Sequence, residues 1–539
     1  MTETLHERVA EQAARTPAAV AVVMEGEALT YAALDAESNR LARCLLELGC
    51  ERGDRICLFL PKSPAAIVAM LGSLKAGCAY VPVDLDSPGP RLAKIVARAE
   101  PRMVIVASEA AARLEEVRAG GGVDESVRVG ALSGNDLGDL AFDAAAIAAC
   151  SPEPVSPGTG RLGTGGLRTG RDDAAHILFT SGSTGEPKGV VITHANVLAF
   201  LAWAIPHFGI GPDDRLSGHP PLHFDLSTFD IYGALSAGAQ LHLVPPSLNL
   251  PPRGIARFIE GQELTQWFSV PSVLTYMAKF DAVPEGGFPM LRRVLSCGDV
   301  LPTPVLEHWV ARLPHVRFTN LYGPTEATIA SSFQEIEAVS PGETRAIPIG
   351  KACAGEELLV LDEALAAVQT GVAGDLYIGG AGLSPGYWRD EERTRAAFLP
   401  DPRPEHAGER LYRSGDRARI DEAGIVHFLG RADSQVKSRG YRIELGEVEG
   451  AVNGLAEVRE AAVVGLEGEF EGTALCCAFA PTDSEVVSPQ RLKQELRATL
   501  PAYMLPSRWL ALPVLPKNAN GKIDRTEIKR LFAAESPRQ

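Results

Sequence analysis

The chain has 539 residues, of which 45% are hydrophobic and 22% charged, and its formal net charge is −16. This length allows two or three domains with substantial cores, and the acidic balance argues against nucleic-acid or anionic-membrane binding. The nine cysteines are isolated apart from Cys476 and Cys477 and form no CxxC pair, which predicts buried free thiols in a reducing cytoplasm. The first residues lack the basic and apolar regions of a signal peptide, and no apolar run reaches the length of a membrane span.

Helix and strand patterns alternate along the first part of the chain, which predicts a parallel sheet covered by helices. Thr30 is placed to cap the second helix. Residues 148–171 are rich in proline and glycine without periodic apolar positions, and this predicts a linker. The predicted elements are a helix over 5–14, a strand over 20–24, a helix over 31–48, a strand over 55–60, a helix over 64–75 and a strand over 79–83.

The second part of the chain repeats this alternation and then becomes richer in strands and glycines. A smaller unit is predicted to begin near Arg431 with a charged turn. The elements predicted here are a strand over 174–179, a helix over 194–203, strands over 358–361 and 375–380, a helix over 445–452, strands over 458–465 and 474–480, and a helix over 489–500.

A glycine-rich segment over residues 177–189 follows the predicted strand at 174–179. Its glycines allow turns and a close approach of the backbone to a ligand. Its hydroxyls and its lysine supply the donors and the positive charge that a polyphosphate needs. No Gly-Lys-Ser/Thr closes the segment, so it is not the common P-loop, and a Ser/Gly-rich surface turn is the alternative interpretation.

The whole string over 177–189 resembles the phosphate-binding loop of the adenylate-forming (ANL) superfamily, in particular of nonribosomal peptide synthetase adenylation domains. Similar motifs follow in order at 320–326 (NLYGPTE), 411–416 (LYRSGD), 428–440 and 515–525. The resemblance implies an α/β ANL fold. In that fold, a large N-terminal domain of three subdomains with parallel sheets and helices spans 1–431, and a small mobile α+β C-terminal domain spans 432–539.

The resemblance also implies a reaction of ATP with a carboxylate that gives an acyl-adenylate and pyrophosphate. Glu326 is the expected Mg²⁺ ligand, because Mg²⁺ prefers a carboxylate together with phosphate oxygens. Asp416 is expected to accept hydrogen bonds from both ribose hydroxyls. The implied ATP site comprises Thr180, Ser181, Gly182, Ser183, Thr184, Gly185, Lys188, Gly298, Asn320, Tyr322, Gly323, Thr325, Asp416, Phe428, Arg431 and Lys522.

Four residues are expected to act in catalysis: Lys522, Thr325, Glu326 and Gly440. Lys522 would bridge the carboxylate and the α-phosphate, since a point charge on a long stem can reach into a site from a mobile domain. Lys517 is the nearest alternative lysine. The resemblance implies that Asp433 is the hinge and that Gly440 lies in the loop that enters the site for thioester formation.

The family's pocket positions place an aspartate, Asp225, where the substrate ammonium would bind. The substrate set is Asp225, Leu226, Phe229, Asp230, Ser269, Leu295, Cys297, Leu321, Ile329 and Ala330. Apart from its two acids this set is apolar or weakly polar, and burying an unpaired charged side chain would be costly. We therefore expect a neutral amino acid of small or medium size, with proline first and alanine or cysteine next. Asp230 leaves open a β-amino acid whose amine it would bind.

These motifs predict an amino acid–carrier protein ligase of natural-product biosynthesis. We expect a free-standing adenylation enzyme that loads the phosphopantetheine thiol of a separate carrier protein, because no carrier or condensation motif accompanies the domain. An acyl- or aryl-CoA ligase of the same superfamily is the nearest alternative, and Asp225 argues against it because aryl-acid-activating members usually lack this aspartate. A non-catalytic nucleotide-binding protein would show decay of the catalytic motifs.

Overall fold

The structure, a computed structural model, describes residues 4–124, 126–132, 140–155, 169–182, 185–248, 251–340, 342–343, 345–468, 472–482, 487–518 and 522–534. Its helices are α1 (Leu5–Arg15), α2 (Tyr31–Glu47), α3 (Pro64–Lys75), α4 (Gly89–Ala99), α5 (Ala111–Ala119), α6 (Ala144–Ala149), α7 (His194–Phe208), α8 (Asp225–Ala237), α9 (Pro252–Gly261), α10 (Pro271–Lys279), α11 (Thr303–Arg312), α12 (Glu391–Ala397), α13 (Leu445–Asn453), α14 (Pro489–Leu496) and α15 (Arg525–Ala534).

The strands are β1 (Val20–Met24), β2 (Glu27–Thr30), β3 (Arg55–Phe59), β4 (Ala79–Pro82), β5 (Met103–Val106), β6 (Arg128–Ala131), β7 (Ala174–Thr180), β8 (Lys188–Thr193), β9 (Arg215–Gly218), β10 (Gln240–Leu243), β11 (Gln266–Ser269), β12 (Arg293–Ser296), β13 (Arg317–Tyr322), β14 (Ser332–Ile336), β15 (Lys351–Ala352), β16 (Glu356–Leu361), β17 (Gly374–Gly380), β18 (Gly386–Tyr387), β19 (Phe398–Pro400), β20 (Arg410–Ile420), β21 (Val426–Arg431), β22 (Gln435–Ser438), β23 (Tyr441–Glu444), β24 (Val458–Gly468), β25 (Gly472–Pro481) and β26 (Arg508–Ala511).

A seven-stranded sheet has the order β18-β8-β7-β4-β3-β5-β6. Strands β7, β4, β3, β5 and β6 run parallel, and β8 and β18 add an antiparallel edge. All four residues of β4 and of β5 are buried, as expected for strands that are covered on both faces. The glycine-rich segment connects β7 to β8, so the sheet fixes both of its ends.

A nine-stranded sheet has the order β15-β14-β13-β12-β11-β9-β10-β1-β2. Strands β13, β12, β11, β9, β10 and β1 run parallel, β14 and β2 run antiparallel to them, and β15 pairs antiparallel with β14. The carboxyl ends of the parallel strands meet at one edge, which is where α/β sheets bind ligands. Helix α8 begins at this edge with Asp225, because it follows β9 directly.

A buried lysine links the two large sheets. Lys62 follows β3, and its Nζ donates hydrogen bonds to the carbonyls of Gly218 (2.9 Å), His219 (2.6 Å) and Val244 (3.3 Å) at the ends of β9 and β10. The three N–H donors of a protonated ammonium match three acceptors. Burial lowers the pKa of Lys62 to about 7, and nearby Asp230 opposes this shift.

The remaining strands form a five-stranded antiparallel sheet (β16, β17, β19, β20 and β21) and the small C-terminal unit. The small unit has a β22–β23 hairpin and the sheet β24-β25-β26. A bend over residues 432–434 follows β21 where the charged turn was predicted near Arg431, but the hairpin over residues 435–444 was not predicted. Its two turn residues, Arg439 and Gly440, both have positive φ (54° and 82°), as a type I′ turn requires.

Most predicted elements are confirmed to within a few residues. Helix α7 continues to Phe208, beyond the predicted end at 203, and contains Pro206 in its last turn. Helix α14 ends at Leu496, short of the predicted residue 500. The predicted linker lies largely outside the described residues, which resume at 169. Strand β21 ends at Arg431 and β22 begins at Gln435, so the division at 431/432 falls between sheets and stays a prediction.

The cysteines are all free thiols, and eight of the nine are buried. Among the described residues, no helix combines the length and the apolar character needed to cross a bilayer.

Lys62→Met should lower the free energy of unfolding by about 3 kcal/mol, because it leaves three carbonyls and Asp230 buried without their cation. The double variant Lys62→Met/Asp230→Asn should recover part of this loss. Urea unfolding followed by tryptophan fluorescence measures both. The exposed Lys94→Met is the control and should cost less than about 0.5 kcal/mol. An unchanged midpoint for Lys62→Met would contradict the proposed link.

Candidate active site

The described residues of the glycine-rich segment, 177–182 and 185–189, lie in or next to β7 and β8. A Cβ atom on Gly182 would lie 2.1 Å from the carbonyl oxygen of Glu186, so only glycine fits there. Gly185 has φ of 76° and donates its N–H to the Gly182 carbonyl at 2.9 Å. Ser181 Oγ donates to the carbonyl of Arg442 in the small unit at 2.6 Å. The predicted phosphate ligands Ser183 and Thr184 lie outside the described residues.

A buried carboxylate, Glu326, lies at the centre of the site. Lys188 Nζ lies 3.2 Å from Glu326 Oε1, and Arg442 Nη1 lies 2.7 Å from Oε2. Tyr387 donates its hydroxyl to Oε1 at 2.8 Å. The glycine-rich loop, the 320–326 motif and the small unit therefore meet at one side chain.

The charges of Arg442 and Lys188 determine the ionisation state of Glu326. Burial alone would raise the pKa of Glu326, but Arg442 and Lys188 lower it well below its usual range. Burial, together with Arg442, lowers the pKa of Lys188. Although burial opposes it, the pKa of Arg442 is raised well above its usual value by Glu326. The site thus holds an ionised carboxylate between two cations, an arrangement that suits polyphosphate and a divalent ion.

The predicted ribose ligand, Asp416, is held by two neighbours. The hydroxyl of Tyr322 donates to Oδ2, and Arg431 Nη1 donates to Oδ1 at 2.5 Å. Arg431 also forms a two-pronged contact with the predicted hinge residue Asp433 at 2.7 and 2.6 Å. In the structure, these polar partners occupy the Asp416 oxygens that we expect to bind ribose hydroxyls.

Two further predicted nucleotide residues, Asn320 and Phe428, lie on β13 and β21. Asn320 Nδ2 donates to the Pro348 carbonyl at 2.9 Å, and Phe428 is half-buried on β21. A Cβ atom on Gly323 would lie 2.6 Å from Cα of Ala330, so this glycine lets the motif pack against the substrate segment. Lys437 of the small unit places Nζ 5.5 Å from the ring centre of Tyr322, in cation–π contact.

All ten predicted substrate residues are buried, and they come from α8, β11, β12 and the residue after it, β13, and the segment after Glu326. The two acids on α8 face different surroundings. Burial raises the pKa of Asp225 to about 6, while a hydrogen bond from Thr325 and the charge of Lys437 oppose the shift. Burial raises the pKa of Asp230 well above its usual value, opposed by Lys62. Asp225 therefore faces the nucleotide motif, and Asp230 faces the lysine that links the sheets.

A strained segment places the last two pocket residues. Thr328 and Ile329 have φ of 57° and 71°, which is unusual for β-branched residues and costs about 1–3 kcal/mol each. Thr328 Oγ1 donates to the Gly382 carbonyl at 2.6 Å, and the Gly382 N–H donates to Glu356 Oε1 at 2.7 Å. This buried network holds the turn that presents Ile329 and Ala330. No local sequence pattern indicated it.

The small unit inserts its hairpin turn into the site. A Cβ atom on Gly440 would lie 2.3 Å from Cγ1 of Val270, and one on Gly298 would lie 4.0 Å from Cα of Gly440. Gly440 and Gly298, both predicted site residues, therefore lie next to each other.

Lys522 is not brought to this site. Its side chain is exposed, and the following residue, Ile523, packs with Val464 and Phe532 on the α15 face of the small sheet. The hairpin residue Tyr441 packs with the cluster on the opposite face, which contains α13 and α14. Gly440 and Lys522 thus lie on opposite sides of the small unit.

Sequence reasoning missed Arg442, Lys437 and Tyr387. A signal for Arg442 exists in the alternation of residues 441–444, where Ile443 is buried in the small core and Arg442 points to the large unit. Lys437 pairs with Arg442 across the β22–β23 hairpin, so the same hairpin carries both cations.

The comparisons with known proteins agree with this geometry. A model of AMP-binding enzymes matches residues 9–388, and a model of the AMP-binding enzyme C-terminal domain matches 447–522. The L-proline--[L-prolyl-carrier protein] ligase of Pseudomonas fluorescens is 36% identical, over 98% of this chain and 99% of its own length. Surfactin synthase subunit 2 of Bacillus subtilis is 35% identical, over 97% of this chain but only 14% of its own length.

A solved structure extends the comparison to a carrier-linked protein. It is holo-PA1221, an NRPS protein containing adenylation and PCP domains, with a TM-score of 0.78 and 28% identity over 98% of this chain and 84% of that one. These matches confirm the family resemblance and the ANL fold predicted from the motifs.

Thr328→Val should lower the free energy of unfolding by about 1–3 kcal/mol, because it keeps the strained backbone and leaves the buried Gly382 carbonyl without its donor. Thr328→Ser keeps the hydroxyl and is the matched control, with most of the stability retained. Chemical unfolding of the two variants measures the difference. Equal losses in both variants would show that the hydrogen bond does not hold the turn.

Proposed function

The chain belongs to the AMP-binding enzyme family and has the ANL adenylation fold, and we propose that it is an AMP-forming ligase that loads an amino acid onto a carrier protein. In the first step, a carboxylate oxygen of the amino acid attacks the α-phosphorus of ATP and pyrophosphate leaves. In the second, the carrier's phosphopantetheine thiol attacks the acyl carbonyl and AMP leaves. The observation that carries the proposal is Asp225, a buried carboxylate next to Thr325 of the nucleotide motif.

We propose that ATP occupies the region between the glycine-rich loop and Asp416. Lys188 and the loop amides would meet the phosphates, and Asp416 would bind the ribose. Developing negative charge would then be met by Lys188, which lies at the start of β8. The free thiols fit a reducing compartment, which supports a cytoplasmic setting.

A magnesium ion fits the residues at Glu326. The carboxylate is kept ionised, and Arg442, which holds Oε2, belongs to the small unit rather than to the rigid site. If the small unit turns away, one carboxylate oxygen becomes available to a cation. The ion would supply charge neutralisation for the phosphates.

We propose a neutral α-amino acid as the substrate. Asp225 would bind the ammonium, because it lies beside Thr325 of the nucleotide motif, whereas Asp230 lies near Lys62. The other eight pocket residues carry no charge. Proline is the first choice, supported by the L-prolyl substrate in the name of the Pseudomonas fluorescens relative, and alanine or cysteine follow. A β-amino acid bound by Asp230 is the alternative.

The two steps need two orientations of the small unit. Gly440 and Lys522 lie on opposite faces of its sheet, so they cannot both reach the α-phosphate in one orientation. The described arrangement has Gly440 inside, which suits the thiol step. We propose that rotation about Asp433 brings Lys522 to the site for adenylation.

Lys522→Ala should reduce amino-acid-dependent ATP–pyrophosphate exchange by about a hundredfold or more while ATP still binds, since the lysine acts mainly in the transition state. Lys517→Ala is the matched control from the same loop, where Lys517 pairs with Glu460 on β24. Its exchange rate should stay close to that of the wild type. The assignment of Lys522 fails if the two variants are equally active, or if only Lys517→Ala is slow.

Exchange across a panel of α- and β-amino acids should separate the two acids of α8. Asp225→Ala should abolish exchange with every substrate, because the ammonium loses its buried partner. Asp230→Ala should lower stability but leave the order of preferred substrates unchanged, since Asp230 faces Lys62. Loss confined to Asp230→Ala with a β-amino acid would establish the alternative. Strong exchange with lysine or glutamate would refute the neutral pocket.

A further inference from the structure

A buried ion pair joins the large and small units at a distance from the reacting groups. Arg91 lies in the first turn of α4, and Glu447 lies in the first turn of α13. Arg91 Nη1 donates to Glu447 Oε1, and the two side chains are only 7% and 6% exposed. Neither residue belongs to the predicted nucleotide or substrate set.

The Arg91–Glu447 pair and the hairpin both lie where the small unit contacts the large unit, since Arg442 of the hairpin contacts Glu326. Tyr441, next to Gly440, stacks on Tyr503 with ring centres 3.7 Å apart. Arg91 is close enough to Tyr503 to influence the pKa of its hydroxyl. Tyr441 and Tyr503 pack in the same core as α13, and Arg91 contacts this part of the small unit through Glu447.

We infer that Arg91 and Glu447 are positioning residues for the thiol step, because their ion pair holds the small unit in the orientation that inserts Gly440. This inference rests on the proposed function, since it assumes two half-reactions with different orientations. The pair connects α4 of the seven-stranded sheet to α13 of the small unit, so it can persist only while those helices are in contact.

The cost of breaking the Arg91–Glu447 ion pair differs between the two orientations of the small unit. A buried ion pair adds little net stability, but removal of one partner leaves an unpaired buried charge at high cost. Here that cost arises only when the small unit is docked, because rotation returns the remaining charge to water. A single substitution should therefore shift the population away from the docked orientation. Replacing both residues by apolar ones removes the penalty.

The experiment compares Arg91→Met, Glu447→Met and the double variant Arg91→Met/Glu447→Met in the full chain. ATP–pyrophosphate exchange reports the first half-reaction. Single-turnover thioester formation with pantetheine reports the second, so that recognition of a carrier protein is not involved. Arg403→Met is the control, because Arg403 pairs with Glu357 and Asp401 within the large unit.

Each single variant should keep its exchange rate within about twofold of the wild type and form the thioester about tenfold or more slowly. The double variant should recover thioester formation to within about threefold. Arg403→Met should leave the ratio of the two rates unchanged. Unchanged thioester formation in the single variants, equal losses in both half-reactions, or a double variant as slow as the single ones would each overturn the inference.

Amide hydrogen exchange of residues 435–444 gives a readout that does not need activity. The single variants should exchange faster than the wild type in this hairpin, and the double variant should not. If the wild type shows no amino-acid-dependent pyrophosphate exchange, the proposed ligase function fails, while the hydrogen-exchange pattern still tests whether the pair holds the hairpin. Identical exchange in all variants would overturn the positioning role.

Discussion

The site depends on one buried carboxylate that must stay ionised. Glu326 has no solvent exposure and is held by Lys188 from β8 and Arg442 from β23. In a medium of low dielectric constant, a lone carboxylate would take up a proton, so the two cations are a condition for its charge. Because one cation belongs to each structural unit, the charge balance of the centre changes when the small unit moves. A divalent ion and phosphates would restore the balance in the other orientation.

The small unit has a separate hydrophobic core on each face of its sheet, and this follows from the pleat of the strands. Alternate residues of β24 and β25 point to opposite sides, with Val463 and Cys477 in the hairpin-side core and Val464 and Cys476 in the α15-side core. Each core supports one functional loop. Under the proposed function, the two half-reactions need different orientations of the small unit, because its sheet keeps Gly440 and Lys522 on opposite faces.

The sequence predicted the elements that depend on local patterns. The predicted strands β1, β3 and β4 are largely apolar runs, and their boundaries were close to the observed ones. Thr30 and Ser63 cap α2 and α3 by accepting hydrogen bonds from the backbone amides of Ala33 and Ala66. The hairpin at 435–444 was misread because its type I′ turn is Arg439-Gly440 rather than Asn-Gly. The glycine-rich loop and the 320–326 motif were found because each is contiguous in sequence.

What the sequence could not predict is the pairing of distant side chains. Arg442 and Glu326 are 116 residues apart, and Arg91 and Glu447 are 356 apart. No periodicity links such positions, since their contact arises from the docking of two units. The strained turn at Thr328 was invisible for a related reason, because Gly382, which accepts its hydroxyl, lies 54 residues further along the chain.

The two acids of α8, Asp225 and Asp230, have different surroundings in the fold. Five residues apart on a helix, Asp225 and Asp230 point in directions that differ by roughly 140°, so one lies beside Thr325 and the other near Lys62. A zwitterionic amino acid would bring an ammonium for Asp225 and a carboxylate for a lysine, so every buried charge would be paired. A third charge on the substrate side chain would meet only uncharged residues and would carry the full cost of desolvation. Under the proposed function, charge pairing would select neutral side chains before the shape of the pocket distinguishes one neutral amino acid from another.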